Sequence, residues 1–237
     1  MANALWTRLA QGRQTSDFPR GTVQFPERFR GRPIVTDASG HAVLDVGACL
    51  FAPEETGNGD KPVLTFTHDH RLAVSARDDF CTQTGALPPV RALDARMRGL
   101  LGRSLRLRSV AAGSCGGCEA EMTAMSNVVF DLARFGVQFV ASPRHADGIV
   151  VTGVVNANMR EALLRTYDAV PDPRIVIAVG ACAVSGGVFA DGTDVAGVGS
   201  IVPVDLWIAG CPPHPLTIMD GLLRLLGRLE DGQRATP

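Results

Sequence analysis

Six cysteines in 237 residues set the chemical question. Cys115 and Cys118 form a C-x-x-C, and Cys182 and Cys211 stand alone in glycine- or proline-rich surroundings. Cys49 and Cys81 are isolated in the first third. Six is too few for a disulfide scaffold in a chain of this length. Residues 1–20 show no apolar stretch followed by a small-residue cleavage site, so no secretion signal is expected. Thiols kept reduced serve metal or redox chemistry ahead of disulfides. Such chemistry needs several sulfurs at one place, so the fold must bring distant cysteines together.

The elements needed for that are legible from about residue 105 onward. Strands are expected at 105–111, 137–141, 148–154, 174–179 and 202–208, and helices at 119–134, 158–167 and 215–229. Continuous apolar strands between helices indicate a buried parallel sheet, hence a doubly wound α/β domain. Three of the strands run directly into Cys115/Cys118, Cys182 and Cys211. In an open parallel sheet the loops after the strands share one edge, where ligands bind. Four thiols at that edge make a four-thiolate site. Zinc accepts four cysteines, usually as two close pairs, whereas here a pair is followed by singles 64 and 29 residues on. A [4Fe–4S] cube tolerates ligands from separate loops, and its sulfides accept backbone N–H groups brought close by glycine. Gly113, Gly116, Gly117, Gly180, Gly186 and Gly187 suit that need, and Pro212 follows Cys211 as in many cluster sites. By spacing alone a cluster, a zinc ion and unliganded thiols all stay open.

Composition narrows the remaining classes. Hydrophobic residues are 46% and charged residues 20%, enough apolar side chains for a full core. The net charge of -1 disfavours nucleic acid as a partner. No run of eighteen apolar residues is present, so no membrane span is expected. Arginines gather in residues 1–32 and 91–108; they form either a solvated face or a basic surface toward a partner or anionic lipid. The loop 180–187 lacks the Lys-Ser/Thr of a P-loop, which disfavours nucleotide. Before residue 85 the chain is polar and turn-rich, with short strands expected at 33–36, 42–46 and 63–67. A Pro-Pro linker at 88–89 then leads into a helix expected over 90–105.

Residues 106–228 resemble the small-subunit family shared by respiratory complex I and the membrane-bound [NiFe] hydrogenases. The resemblance rests on Cys115-Gly-Gly-Cys118-Glu-Ala-Glu121, Ser142-Pro-Arg-His-Ala-Asp147, Thr152-Gly, Gly180-Ala-Cys182, Val202-Pro-Val-Asp205 and Gly210-Cys-Pro-Pro-His-Pro215. The complex I subunit has adjacent cysteines at the first motif. The C-x-x-C here is the hydrogenase form, most similar to the formate hydrogenlyase type. His214 stands where complex I has arginine. The resemblance implies a flavodoxin-like fold and one [4Fe–4S] cluster, the proximal one, ligated by Cys115, Cys118, Cys182 and Cys211. It implies an oxidoreductase complex, cytoplasmic and peripheral on the inner face of the cell membrane. The implied partners are a hydrogenase-type large subunit, a ferredoxin-like electron-transfer subunit and, indirectly, membrane-arm subunits. A complex I-like quinone oxidoreductase subunit is the near alternative. A structural or assembly subunit holding zinc or no metal is the distant one.

The first third is similar to the two-cluster ferredoxin subunit of the same complexes, in Phe25-Pro-Glu-Arg-Phe-Arg-Gly-Arg-Pro33, Val43–Phe51 and Phe66–Ala73. Its cluster motifs are gone: residues 36–40 replace the first, and Cys49 alone remains of the second, with Ala52 and Glu55 at the next cysteine positions. The expected organisation is a cluster-free, degenerate ferredoxin-like α+β docking module over 1–85, a linker helix over 86–104, the cluster domain over 105–230 and a tail over 231–237. Glu121 is expected on the first turn of a helix, with either a helix-dipole role or a polar, proton-handling role by resemblance. His214 is expected to tune the cluster or to sit at an interface. Glu119 is expected at the surface or an interface, His68 and His70 at the surface, and His145 in its own turn.

Overall fold

The computed structural model describes residues 4–35, 43–52, 64–102, 104–113 and 115–229. The expected first-motif remnant at 36–40, Glu55 and the tail at 231–237 lie outside them.

Five short strands come from the first third: β1 (Pro33–Val35), β2 (Leu44–Asp45), β3 (Leu64–Phe66), β4 (Ala73–Val74) and β5 (Cys81–Thr82). Helices α1 (Ala4–Gln11) and α2 (Ala95–Leu101) flank them. The remainder supplies β6 (Leu105–Ala111), α3 (Gly117–Ala124), β7 (Val137–Phe139), β8 (Gly148–Thr152) and β9 (Val155–Asn156). Then follow α4 (Ala157–Asp168), β10 (Ile175–Val179), α5 (Ala181–Ser185), β11 (Val195–Ala196), β12 (Leu206–Ile208) and α6 (Pro215–Leu225).

Among the described residues the main sheet has six strands in the order β4-β12-β10-β8-β6-β7. The five from β6 onward are mutually parallel, and their order is that of a flavodoxin-like doubly wound sheet. The point where strand order reverses falls between β6 and β8. All five residues of β8 and of β10 are buried. On β10, Ile175, Ile177 and Val179 enter one core with α3 and α6, while Val176 and Ala178 enter the other with α4 and α5. That two-sided burial is why these strands read as continuous apolar runs.

Several elements are shorter than sequence periodicity suggests, the helix expected over 90–105 running only over Ala95–Leu101, and two others are shortened for plain local reasons. The helix expected over 119–134 stops at Ala124 because the Asn127 carboxamide oxygen accepts from the N–H groups of Val129 and Phe130, a turn that competes with helix. The strand expected over 202–208 starts only at Leu206. Pro203 has no N–H to donate to a ladder, and the Asp205 carboxylate takes the Val176 N–H.

The first third packs on the α/β sheet. β4 pairs antiparallel with β12, Trp207 opposite Val74 and Ile208 opposite Ala73. Phe18 and Ala73 enter the core with α6, and Val46, Cys49, Phe51, Val74 and Phe80 enter the other. Every residue of α6 is buried. A helix apolar on more than one face needs cover on each, and the N-terminal segments supply it. Its two charges, Asp220 and Arg224, sit one turn apart and pair at 2.7 Å. Residues on both sides of the boundary expected at residue 85 share both cores.

Candidate metal centre

Strands β6, β8, β10 and β12 end along one edge, and each expected cysteine lies just beyond a strand end. Cys115 follows β6 and is exposed; Cys118 lies in the first turn of α3 and is buried. Cys182 lies in the first turn of α5, half-buried, and Cys211 lies between β12 and α6, exposed. None of the four is in a disulfide. The loops meet through glycine. A Cβ on Gly180 would stand 2.5 Å from Cys118 Sγ and 3.6 Å from the Gly210 carbonyl oxygen. A Cβ on Gly117 would lie 3.5 Å from Cys115 Sγ and 3.6 Å from the Pro212 ring, and one on Gly187 would meet Cys182 Sγ at 2.9 Å. Gly180 also has φ +90, a conformation open to glycine and costly to residues with a side chain.

The electrostatics link the same four sulfurs. Burial pushes the Cys118 thiol up to about 12, and the nearby Glu119, Cys182, Cys211 and Cys115 add to the rise. Burial likewise raises Cys182, with Cys211 and Cys115 contributing. Burial and the neighbouring thiols thus both disfavour negative charge on Cys118 and Cys182. A bound cation reverses that preference. Among the described residues no three His, Cys, Asp or Glu side chains converge tightly enough to share one metal ion.

Glu119, expected at the surface or an interface, turns inward: its Oε1 accepts from the fully buried Thr152 hydroxyl at 2.6 Å. Glu121, on the same helix, is half-buried and its carboxyl is raised by that burial. The clue that sequence reading missed was Thr152, a hydroxyl closing an otherwise apolar buried strand and needing an acceptor.

His214 caps α6, its Nδ1 accepting from the Leu216 N–H at 3.2 Å. Three phenylalanine rings meet it edge-to-face: Phe25 at 5.2 Å, Phe29 at 5.7 Å and Phe130 at 5.7 Å between centroids. Burial, with His70 nearby, holds its pKa down at about 4. Expected at the surface, His70 is 5% exposed between the Phe18 and Phe25 rings. His68, as expected, is exposed, and so is His145. Cys49 is buried in the sheet's second core, and Cys81 is exposed on β5.

Fold and site together define a flavodoxin-like α/β protein with four thiols in the loops along one edge of its sheet. Residues 115–225 match the NADH ubiquinone oxidoreductase, 20 Kd subunit, family. The chain is 46% identical over 134 residues to formate hydrogenlyase subunit 7 of Escherichia coli, covering 54% of this chain and 51% of that protein. It is 42% identical over 136 residues to the probable membrane-bound hydrogenase subunit mbhJ of Pyrococcus furiosus, covering 57% of this chain and 81% of that one. A chain of the membrane-bound sulfane sulfur reductase, an archaeal respiratory membrane complex, superposes with a TM-score of 0.50 at 32% identity, over 59% of this chain and 78% of that chain. The chain belongs to the NADH ubiquinone oxidoreductase 20 Kd subunit family. Its relatives are subunits of oxidoreductase complexes, and it spans about half the length of the Escherichia coli relative. Among the described residues no helix is long and apolar enough to cross a membrane.

Proposed function

We propose that this chain is the electron-transfer subunit of a membrane-associated, formate hydrogenlyase-like [NiFe] hydrogenase complex, and that Cys115, Cys118, Cys182 and Cys211 hold its proximal [4Fe–4S] cluster. The observation carrying the proposal is that three loops on one sheet edge hold four thiols near enough to influence Cys118, with glycine at 180 and 187 where a Cβ would strike a sulfur. The donor set fits a cube, which takes four thiolates at four separate irons. Such a cluster, when bound, supplies one-electron storage.

The chain's own residues do the rest. Gly180 and Gly187 leave room for the Cys118 and Cys182 sulfurs, which a Cβ at either position would strike. Helices α3 and α6 begin at this edge, and their N-terminal dipole ends favour anionic sulfur. The rings of Phe25, Phe29 and Phe130 keep water from the His214 side of the Cys211 loop. Cys115 and Cys211 stay exposed, as do Val188 and Phe189 just beyond the Cys182 turn. That open, partly apolar edge suits a large subunit carrying the catalytic metal, with a ferredoxin-like subunit and membrane-arm subunits completing the assembly.

The test is to isolate the chain with its partners anaerobically and expose the complex to hydrogen. Reduction of its cluster by hydrogen, with nickel in the partner, supports the hydrogenase reading. Reduction coupled only to quinol, with no nickel, moves the assignment to the quinone oxidoreductase branch of the family. Zinc without sulfide overturns electron transfer altogether.

A further inference from the structure

We infer that Glu119 is a positioning and potential-setting residue of this centre, latched across the switch point by Thr152; the inference rests on the cluster reading above. Glu119 follows Cys118 directly and lies in the first turn of α3. Its partner Thr152 is the last residue of β8, the strand beside β6. The 2.6 Å hydrogen bond therefore joins the start of the helix that carries Cys118 to the neighbouring strand end. Thr152 is fully buried, and its backbone carbonyl also accepts from the Ala112 N–H, just before the C-x-x-C loop. Two bonds from one residue thus tie both flanks of that loop to the sheet. The effect is to fix Cys115 and Cys118 relative to Cys182 and Cys211.

The carboxylate also has an electrostatic role. Glu119 follows Cys118 directly and is turned inward by its bond to Thr152, so its carboxylate charge is held beside Cys118 and repels negative charge there, whereas Glu121 lies a further two residues along the helix. An added electron on a cluster held there meets the same repulsion. Glu119 therefore draws the reduction potential down, and carboxamide in its place raises it.

The experiment uses the full chain, purified anaerobically, with redox titration followed by electron paramagnetic resonance. Glu119→Gln keeps an acceptor for Thr152 and removes the charge. At the wild-type midpoint its reduced-to-oxidised ratio should rise about tenfold, equivalent to about 59 mV for one electron. Glu121→Gln should move it by much less. Thr152→Val should speed iron loss to a chelator, and Thr152→Ser should restore the wild-type rate. An unchanged midpoint in Glu119→Gln, or equal iron loss from Thr152→Val and wild type, overturns the inference while leaving the cluster in place. A wild-type chain without iron and sulfide overturns the cluster reading and this inference with it.

Discussion

Strands β8 and β10 bury all five of their residues, whereas β2, β4 and β5 run for two residues each. The long strands are held by parallel neighbours on both sides, and β10 ends just before Cys182. The short ones gain order by leaning on that sheet: β4 on β12, Phe18 beside α6, Val46 and Phe80 on the opposite face. The difference teaches a division of labour. The C-terminal region builds the thiol edge, and the N-terminal region covers α6 and walls the Cys211 loop through Phe25 and Phe29 around His214. The first region can be read as carrying the chemistry, and the second as completing its core.

Removing residues 1–85 is the strongest way to break this comparison. Phe18, Val46, Phe51, Leu72, Val74 and Phe80 are each buried, and each is worth roughly 1.5–3 kcal/mol. Their summed loss is comparable to a typical whole-domain stability of about 5–15 kcal/mol. The shortened chain should be insoluble or unfolded by circular dichroism; a folded, iron-loaded product would show that the first third is a separable module. Next in size, Gly180→Ala puts a methyl group 2.5 Å from Cys118 Sγ at φ +90. It should cost roughly 2 kcal/mol or more in strain and strip iron from the site. Gly117→Ala, with its nearest contacts at 3.5 and 3.6 Å, should load normally.

The His214 cage predicts a pH effect. Its pKa is held at about 4 against an ordinary 6.5, so between those values the unfolded chain binds more protons than the folded one. Stability is then fully present above about pH 6.5 and lost as pH falls toward 4, by an amount on the order of 2 kcal/mol. Urea midpoints at pH 7 and pH 5 measure it. His214→Asn keeps an N-cap acceptor and should flatten the slope, leaving a remainder from His70, whose pKa burial also lowers. Slopes equal to wild type would remove His214 from the account. The smallest effect belongs to Cys49→Ala: a buried thiol lost from the second core should cost about 1 kcal/mol, read by denaturant, with iron content unchanged.

Much of the thiol edge was legible because its signals are local. A strand buried on both faces is a continuous apolar run, and Cys182 and Cys211 follow such runs directly, while Cys115 and Cys118 follow the alternating strand β6. The missed features depend on partners far along the chain. The inward turn of Glu119 needs Thr152, 33 residues on, and the burial of His70 needs Phe18 and Phe25 folded back over it. The attachment of β4 to β12 joins two-residue segments more than a hundred residues apart, too short for any periodicity to show. Expected helix ends failed where a side chain such as Asn127 captured backbone N–H groups.

The central claim is one cluster on the four cysteines of the C-terminal region and none in the first third. Iron, acid-labile sulfide and zinc per chain, measured on anaerobically purified wild type and Cys182→Ser, test it most directly. The account predicts about four irons and four sulfides in the wild type, falling sharply in the variant, with no zinc. About one zinc without sulfide, or clearly more iron than a single cube holds, would contradict it.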